Sequence, residues 1–461
     1  MTGEDLLALA ERALRHVDGD GQVTVVHERS LLSRFAGSRP TQATELDEID
    51  VRITAVRDGH TAVAAANRLD DDSLRAAARR AARGAAAPSA GAGARQPGSY
   101  PGLPAPTDPV RPGAGFDPAT AELDPAVSGR ALSEVFGVAG DHGFESAGIW
   151  TAGAVRTAIA SSAGVRAIDA ATDAYLKVLC RDVRGRSGFG AQASTAAGDV
   201  DPVDAVRTAA GKVVLAGDPA ELPPGEYPAV LDADAVGTLL EFLGALALNG
   251  LAWAEGRSAL SGRLGTAVAA PGVNLADSTL VPGTLPRAFD AEGMAKAPLP
   301  LMQDGVAHRV VHDTRSAAIA GGHARSTGHA IAPGGAPEGP LPRNLVLTGG
   351  GAADVAELAA PIKRGIYVTR LWYVNPVRER ETLVTGMSRD GTFLIEDGVI
   401  ARPLRDVRIT DSILGLLERV EALTARTRLV CEGEFYGRRF ATGVVCPAIR
   451  VGALRVTGAS P

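Results

Sequence analysis

The chain has 461 residues, 45% of them apolar and 22% charged, with 47 Lys+Arg against 53 Asp+Glu for a formal net charge of −6. Such a length exceeds one ordinary core and calls for two or three packed units, while mild acidity without a basic block makes the chain a poor candidate for a nucleic-acid binder. Three scattered cysteines, Cys180, Cys431 and Cys446, exclude a disulfide framework and a four-cysteine zinc site, and fit a reducing compartment.

Residues 4–15 place Leu6, Leu7, Ala10, Ala13 and Leu14 on one helical face. The acidic start, Glu4-Asp5, is unlike a secretory signal. Strands are expected at 23–26, 31–35 and 49–56, the last meeting Asp58-Gly59, a hairpin signal, before a return at 61–66. Leu69-Asp70-Asp71-Asp72 then opens an Ala- and Arg-rich helix with carboxylates at its positive end. Residues 1–83 thus read as an N-terminal α/β domain. Residues 84–116 are Ala, Gly and Pro with almost no periodicity, a linker or loosely docked loop.

A helix over 118–139, strands at 148–152, 155–161, 165–169 and 174–182, and a helix over 202–214 make a central α/β domain, 117–222. Pro223-Pro224-Gly225 opens the third part, 223–461. It begins with a strand at 227–231 and a helix, capped by Asp232 or Asp234, running to about 252. The longest apolar stretch lies here, from 235 to 254, but Glu241 and Asn249 interrupt it, short of the roughly 18 unbroken residues of a membrane span. Short strands follow, among them 365–374, 381–385, 392–395 and 399–402, with a helix at 411–423. The fold class is α+β with a strand-rich C-terminal domain. A cytoplasmic protein with no membrane and no nucleic-acid partner is expected.

Eight histidines invite a search for metal sites. His27-Glu28 has no second histidine one turn on and sits in a strand-like run, so it is not a zinc-peptidase helix. His308 and His312 lie four apart, between Asp304-Gly305 and Asp313-Thr314, on an expected short strand. There they would stand about 13 Å apart at about 3.3 Å per residue, too far for one ion. His323, Arg325, Ser326 and His329 fall in the most polar, Gly-punctuated loop of the chain. Such a loop can cradle a peptide backbone or an anion, or merely cap its own backbone. Gly349-Gly350-Gly351 lacks phosphate-loop spacing, and no Gly-x-Ser-x-Gly elbow occurs. Cys431 and Cys446 read as inert thiols. On the expected strand 363–375, alternation puts Tyr367, Thr369, Leu371 and Tyr373 on one face and Val368, Arg370, Trp372 and Val374 on the other. Either this is an aromatic, cationic substrate or partner wall, or a central strand with Arg370 at its wet end.

Residues 362–375 together with Thr382-Leu383-Val384-Thr385-Gly386-Met387-Ser388-Arg389-Asp390-Gly391-Thr392-Phe393-Leu394-Ile395-Glu396-Asp397-Gly398 resemble the C-terminal signature of the TldD/PmbA family. Ser326-Thr327-Gly328-His329-Ala330, Pro342-Arg343-Asn344-Leu345, Ser33-Arg34-Phe35-Ala36 and Ala66-Asn67-Arg68-Leu69 extend the likeness over about 5–455. The resemblance implies a three-segment architecture, a cytoplasmic dimer and two kinds of subunit. TldD-type subunits carry His-Glu-x-x-x-His plus a distant Cys and form a zinc peptidase acting on unfolded or small peptides. TldE/PmbA-type subunits lack the motif and pair with them. Here, placing the family's Glu on Glu241 puts Leu240 and Ala245 at the histidine positions, and no histidine occurs between His142 and His308. The resemblance therefore implies a noncatalytic TldE/PmbA-type subunit with no catalytic residue and no metal ligand of its own. Zinc is expected in a TldD-type partner, peptide as substrate, and His323, Arg325, Ser326, His329, Arg370, Trp372, Tyr373 and Asn375 on the substrate- or partner-facing surface. Two other readings stay open. One is a self-contained hydrolase around His308, His312, His323 and His329; the other is a homodimeric peptide-binding or regulatory protein.

Overall fold

The computed structural model describes residues 1–87, 100–107, 112–215, 217–431, 439 and 442–459. Helix α1 (Gly3–Leu14) starts on a capping box, with Thr2 and Asp5 bonding each other's backbone. Its Leu6, Ala10 and Ala13 meet the buried Val23, Val25, Val51 and Ile53 of β1 (Asp20–Ala36) and β2 (Arg39–Arg57). β3 (His60–Ala66) and α2 (Asp71–Ala86) follow, then α3 (Pro118–Ala121), α4 (Pro125–Asp141), β4 (Glu145–Ser161), β5 (Arg166–Arg181), β6 (Ser187–Ser194) and α5 (Pro202–Leu215). The six strands form one antiparallel sheet, ordered β3-β2-β1-β4-β5-β6. Segments 1–83 and 117–222 therefore share a sheet through β1 and β4.

Several expected strands are pieces of longer ones. The runs 23–26 and 31–35 are a single β1, because the polar His27-Glu28-Arg29-Ser30 between them stays in register with β4. Both 148–152 with 155–161, and 165–169 with 174–182, likewise fuse. The β2 half 39–48 is solvated, so it carries no apolar period to detect. The helix expected over 118–139 breaks at Leu123, in the left-handed region at φ 58°, and Asp124 caps the second piece. β6 forms where no strand is expected. Its Gly188 and Gly190 let the backbone of α5 approach: an added Cβ would lie 2.1 Å from the carbonyl oxygens of Ala209 and Ala205. Of the expected linker 84–116, residues 88–99 and 108–111 lie outside the described ones. Residues 84–86 finish α2, and Tyr100 is buried, its N–H donating to Gly59 O at 2.9 Å.

The second sheet has thirteen strands. β7 (Gly225–Leu231) leads into α6 (Ala233–Leu246), capped by Asp232, and α7 (Gly250–Ala254), capped by Asn249. The helix expected to run to 252 therefore stops at Leu246. Next come β8 (Leu275–Asp277), β9 (Leu299–Gln303), β10 (Val306–Ala307), α8 (Thr314–Ala320), β11 (Asn344–Leu347), α9 (Val355–Ala359) and β12 (Arg364–Val368). β13 (Leu371–Arg378), β14 (Leu383–Ser388), β15 (Thr392–Glu396), β16 (Val399–Pro403), β17 (Val407–Ser412), α10 (Ile413–Glu418), β18 (Val420–Val430) and β19 (Gly443–Ala459) complete it. The expected strand 365–374 is broken at Thr369-Arg370, and the expected helix 411–423 shrinks to α10, its C-terminal residues joining β18. Residues 308–312 hold a single bridge, Val311 to Asn249, rather than a strand. β19 pairs with β7, β11, β17 and β18. Leu239, Leu240 and Leu243 of α6 enter the main core over this sheet. The whole is α+β with a strand-rich C-terminal half. No helix among the described residues is long and apolar enough to cross a membrane.

Candidate functional site

A cleft of about 470 Å³ opens where the two sheets meet. One wall comes from β5 and β6, through Tyr175, Lys177, Phe189 and residues 191–193; the other comes from α6, β13 and the end of β18. Consecutive residues line it on both sides, Ala191-Gln192-Ala193 and Leu371-Trp372-Tyr373-Val374. Side chains of a strand alternate faces, so an unbroken run along a cavity means that the strand presents its edge. Both strands are suited to that. β6 ends the first sheet, and among the described strands β13 pairs with β14 alone.

Buried polar contacts fix the walls. Lys212 of α5 reaches between the sheets, its Nζ donating to Phe189 O at 2.8 Å, and burial pushes its ammonium below the usual range. Burial works against the Asp232 carboxylate, yet Arg428 and Lys212 hold it below the ordinary carboxylate range. Tyr367 donates its hydroxyl to Asp232 at 2.8 Å, and Arg428 donates to Asp234 at 2.6 Å. At the cleft's edge the Arg370 guanidinium lies 4.1 Å from the Phe189 ring centre and 5.1 Å from that of Trp372, and pairs with Asp390 at 3.1 Å. Ser187 of β6 donates to the same Asp390 at 2.6 Å, tying the sheets together.

Three residues chosen from sequence, Arg370, Trp372 and Tyr373, meet in this cleft beside Glu241 and Cys431. The alternation expected for them fails. The strand break at Arg370 and the register shift between Trp372 and Asn375 reorient the segment, and Tyr373 takes φ 49°. Asn375 is exposed and donates to Tyr373 O at 2.9 Å. The polar loop lies apart, contributing no residue to the cleft lining. His323 and Arg325 are exposed, and Ser326 Oγ lies 3.4 Å from His312 O. His329 is not on a surface: it is 1% exposed, with Nε2 3.1 Å from Asp277 and Nδ1 3.0 Å from Thr327 Oγ1. His312 is also buried, against Ser316 and the edge of Trp253.

Helix α6 turns Leu240 into the core, while Glu241 and Ala245 stay exposed. Glu241 stands between the main cleft and a smaller one of about 240 Å³ bounded by Ala245 and Arg343. Among the described residues no three His, Cys, Asp or Glu side chains are placed to hold a metal ion. Asp234, Glu241 and Cys431, though all at the cleft, do not form a zinc set. Cys446 is sealed behind α6 with its thiol near Ala233 O, and burial pushes its ionisation far up.

Two polar clusters escaped the sequence reading. In one, the fully buried Glu292 accepts from Thr314 N at 3.0 Å and Thr314 Oγ1 at 2.5 Å, beside Asp290 and Asp313. Burial, then the Asp290 charge, raises its ionisation above the ordinary carboxylate range. The folded chain thus holds this proton more tightly than the unfolded one. Its stabilisation is complete below the ordinary carboxylate pKa and is lost as pH rises through the folded value. Glu292→Gln is expected to flatten the fall of Tm between about pH 5 and 9; an unchanged slope would remove Glu292 as its cause. The second cluster surrounds Arg439.

The sequence matches the profile described as PmbA/TldA metallopeptidase C-terminal domain over residues 224–458, and PmbA/TldA metallopeptidase domain 1 over 22–85. A protein of Methanothermobacter thermautotrophicus named "Metalloprotease" is 28% identical over 214 residues, 45% of this chain and 44% of that relative, so the match spans less than half the relative's length. The fold is similar to that of TldE from Thermococcus kodakarensis, with TM-score 0.84 and 18% identity over 99% of this chain and 100% of the other. It is also similar to a Thermotoga maritima protein, a suggested modulator of a DNA gyrase, with TM-score 0.79 and 19% identity over 98% and 99% of the two chains.

Proposed function

Because the chain belongs to the PmbA/TldD metallopeptidase family, we propose that it is the noncatalytic subunit of a two-subunit zinc peptidase acting on unfolded peptides in the cytoplasm. One observation carries this reading. The helix after β7 offers Leu240 to the core and Glu241 and Ala245 to solvent, and no histidine stands between His142 and His308. A zinc hydrolase needs the ion to acidify its water and polarise the scissile carbonyl. The described residues supply no ligand set for it, so a TldD-type partner brings the metal. The chain's own contribution is the cleft. The open edges of β6 and β13 offer backbone N–H and C=O groups to an extended peptide, a mode of binding indifferent to most side chains. The TldE name of one structural relative agrees with this placement.

The purified chain is expected to carry no stoichiometric zinc by atomic absorption, and to cleave an unstructured peptide only after a TldD-type subunit is added. One tightly bound zinc per isolated chain, with chelator-sensitive cleavage, overturns the proposal.

A further inference from the structure

We infer that the cleft between β6 and β13 selects peptides carrying a large aromatic side chain, and that Tyr373 is a specificity-determining residue for them. This rests on the peptide-channel reading above and adds a preference to it. Aromatic residues make up 4% of the chain, yet Tyr175, Phe189, Phe242, Trp372 and Tyr373 all line this one cavity. Aromatic walls favour edge-to-face and offset contacts with another ring, beyond what area burial gives. The cavity, about 470 Å³, falls in the size range of specific ligand pockets.

Tyr373 supplies an independent observation. Its φ of 49° is unfavourable for a residue with a Cβ, and the residue is 74% exposed. Burial of its own ring does not repay the strain. The conformation swings the tyrosine out of the β13 pleat, edge-on to Trp372 with ring centres 5.3 Å apart. Strain kept at an exposed aromatic beside a cavity points to recognition. Trp372 is in turn held by the Arg370 and Arg389 guanidiniums, 5.1 and 5.3 Å from its ring centre. The pair is a fixed wall with one projecting ring.

The test uses the full chain and dye-labelled, unstructured Gly/Ser peptides that differ only in one central guest residue: Trp, Phe, Leu, Ala or Asp. Binding is read by anisotropy. Phe and Trp guests are expected to bind about ten-fold more tightly than Ala, the scale of one well-filled apolar contact. Tyr373→Gly relieves the backbone strain, so it is expected to raise Tm while losing most of that preference; Tyr373→Phe keeps the preference. Equal binding of Phe and Ala guests, or tightest binding of Asp, overturns the inference and leaves the peptide channel standing. A preference unchanged in Tyr373→Gly removes Tyr373 from it. No binding of any peptide overturns both.

Discussion

Replacing Arg439 by Ala is expected to lower the unfolding free energy by about 3–5 kcal/mol in urea titration, as breaking a buried charge pair does. The residue is 2% exposed. Its Nε and Nη2 donate to Asp173 at 2.8 and 2.6 Å, its Nη1 to Thr151 at 2.9 Å, and its backbone N–H to Glu28 at 2.8 Å. It thus inserts from the C-terminal half into the middle of the first sheet, against β1, β4 and β5. The strands make room: a Cβ on Gly153 would stand 2.4 Å from Arg439 Nε. Truncation takes from the Asp173 carboxylate, 5% exposed, the guanidinium it bonds and leaves it facing the charge of Arg287, whereas replacing both members of the pair leaves neither of them unpaired. The Arg439→Met/Asp173→Leu double variant is therefore expected to lose clearly less than the sum of its single variants. Additive losses, or a loss below about 1 kcal/mol for Arg439→Ala, sink the clamp.

Asp277→Ala is expected to cost a similar amount, about 3–5 kcal/mol. Asp277 is wholly buried, 3.4 Å from Lys296 Nζ and 3.1 Å from His329 Nε2, and accepts from the N–H groups of Arg343 at 2.7 Å and Asn344 at 2.8 Å. Burial opposes its charge, but Lys296 and His329 outweigh it and hold the carboxyl far below the usual range. A depressed pKa gives stability that is present above the ordinary carboxylate range and lost as pH falls through the folded value. The wild-type advantage over Asp277→Asn should therefore hold from pH 5 to 8 and shrink only below about pH 4. An advantage that vanishes by pH 5 contradicts the assignment of Asp277 as the anion of this site.

What the sequence revealed, and what it hid, follow from how local each signal is. Hairpin chemistry at Asp58-Gly59, the apolar face of α1 and the capping aspartates of α2 and α6 act within a few residues, and each was legible. The length of β1 was not, because His27 and Glu28 are polar yet buried; their partners, Asp47 and Arg439, come from other strands and a distant segment. At the candidate site, Arg370, Trp372 and Tyr373 stood out as an aromatic and cationic cluster and do meet in the cleft. Tyr175, Phe189 and Phe242 did not stand out, since each sits singly in its element and only the packing of two sheets brings them together. His329 misled because its loop is polar and Gly-rich. Its ring is spent on Asp277, 52 residues earlier in the chain. The Arg439 clamp has no local signature at all: Glu28, Thr151, Asp173 and Arg439 come from four separate stretches.

The position of β19 bears on how the protein is made. That strand pairs with four others, yet it occupies residues 443–459, after every strand it organises. During synthesis the flank of β7 that β19 covers must therefore wait for more than 200 residues before that strand emerges, and until then it is an adhesive template for other nascent chains. Closure over such separations is slow. The pairings that β19 makes with β7, β11, β17 and β18 are thus the last of the C-terminal half to close.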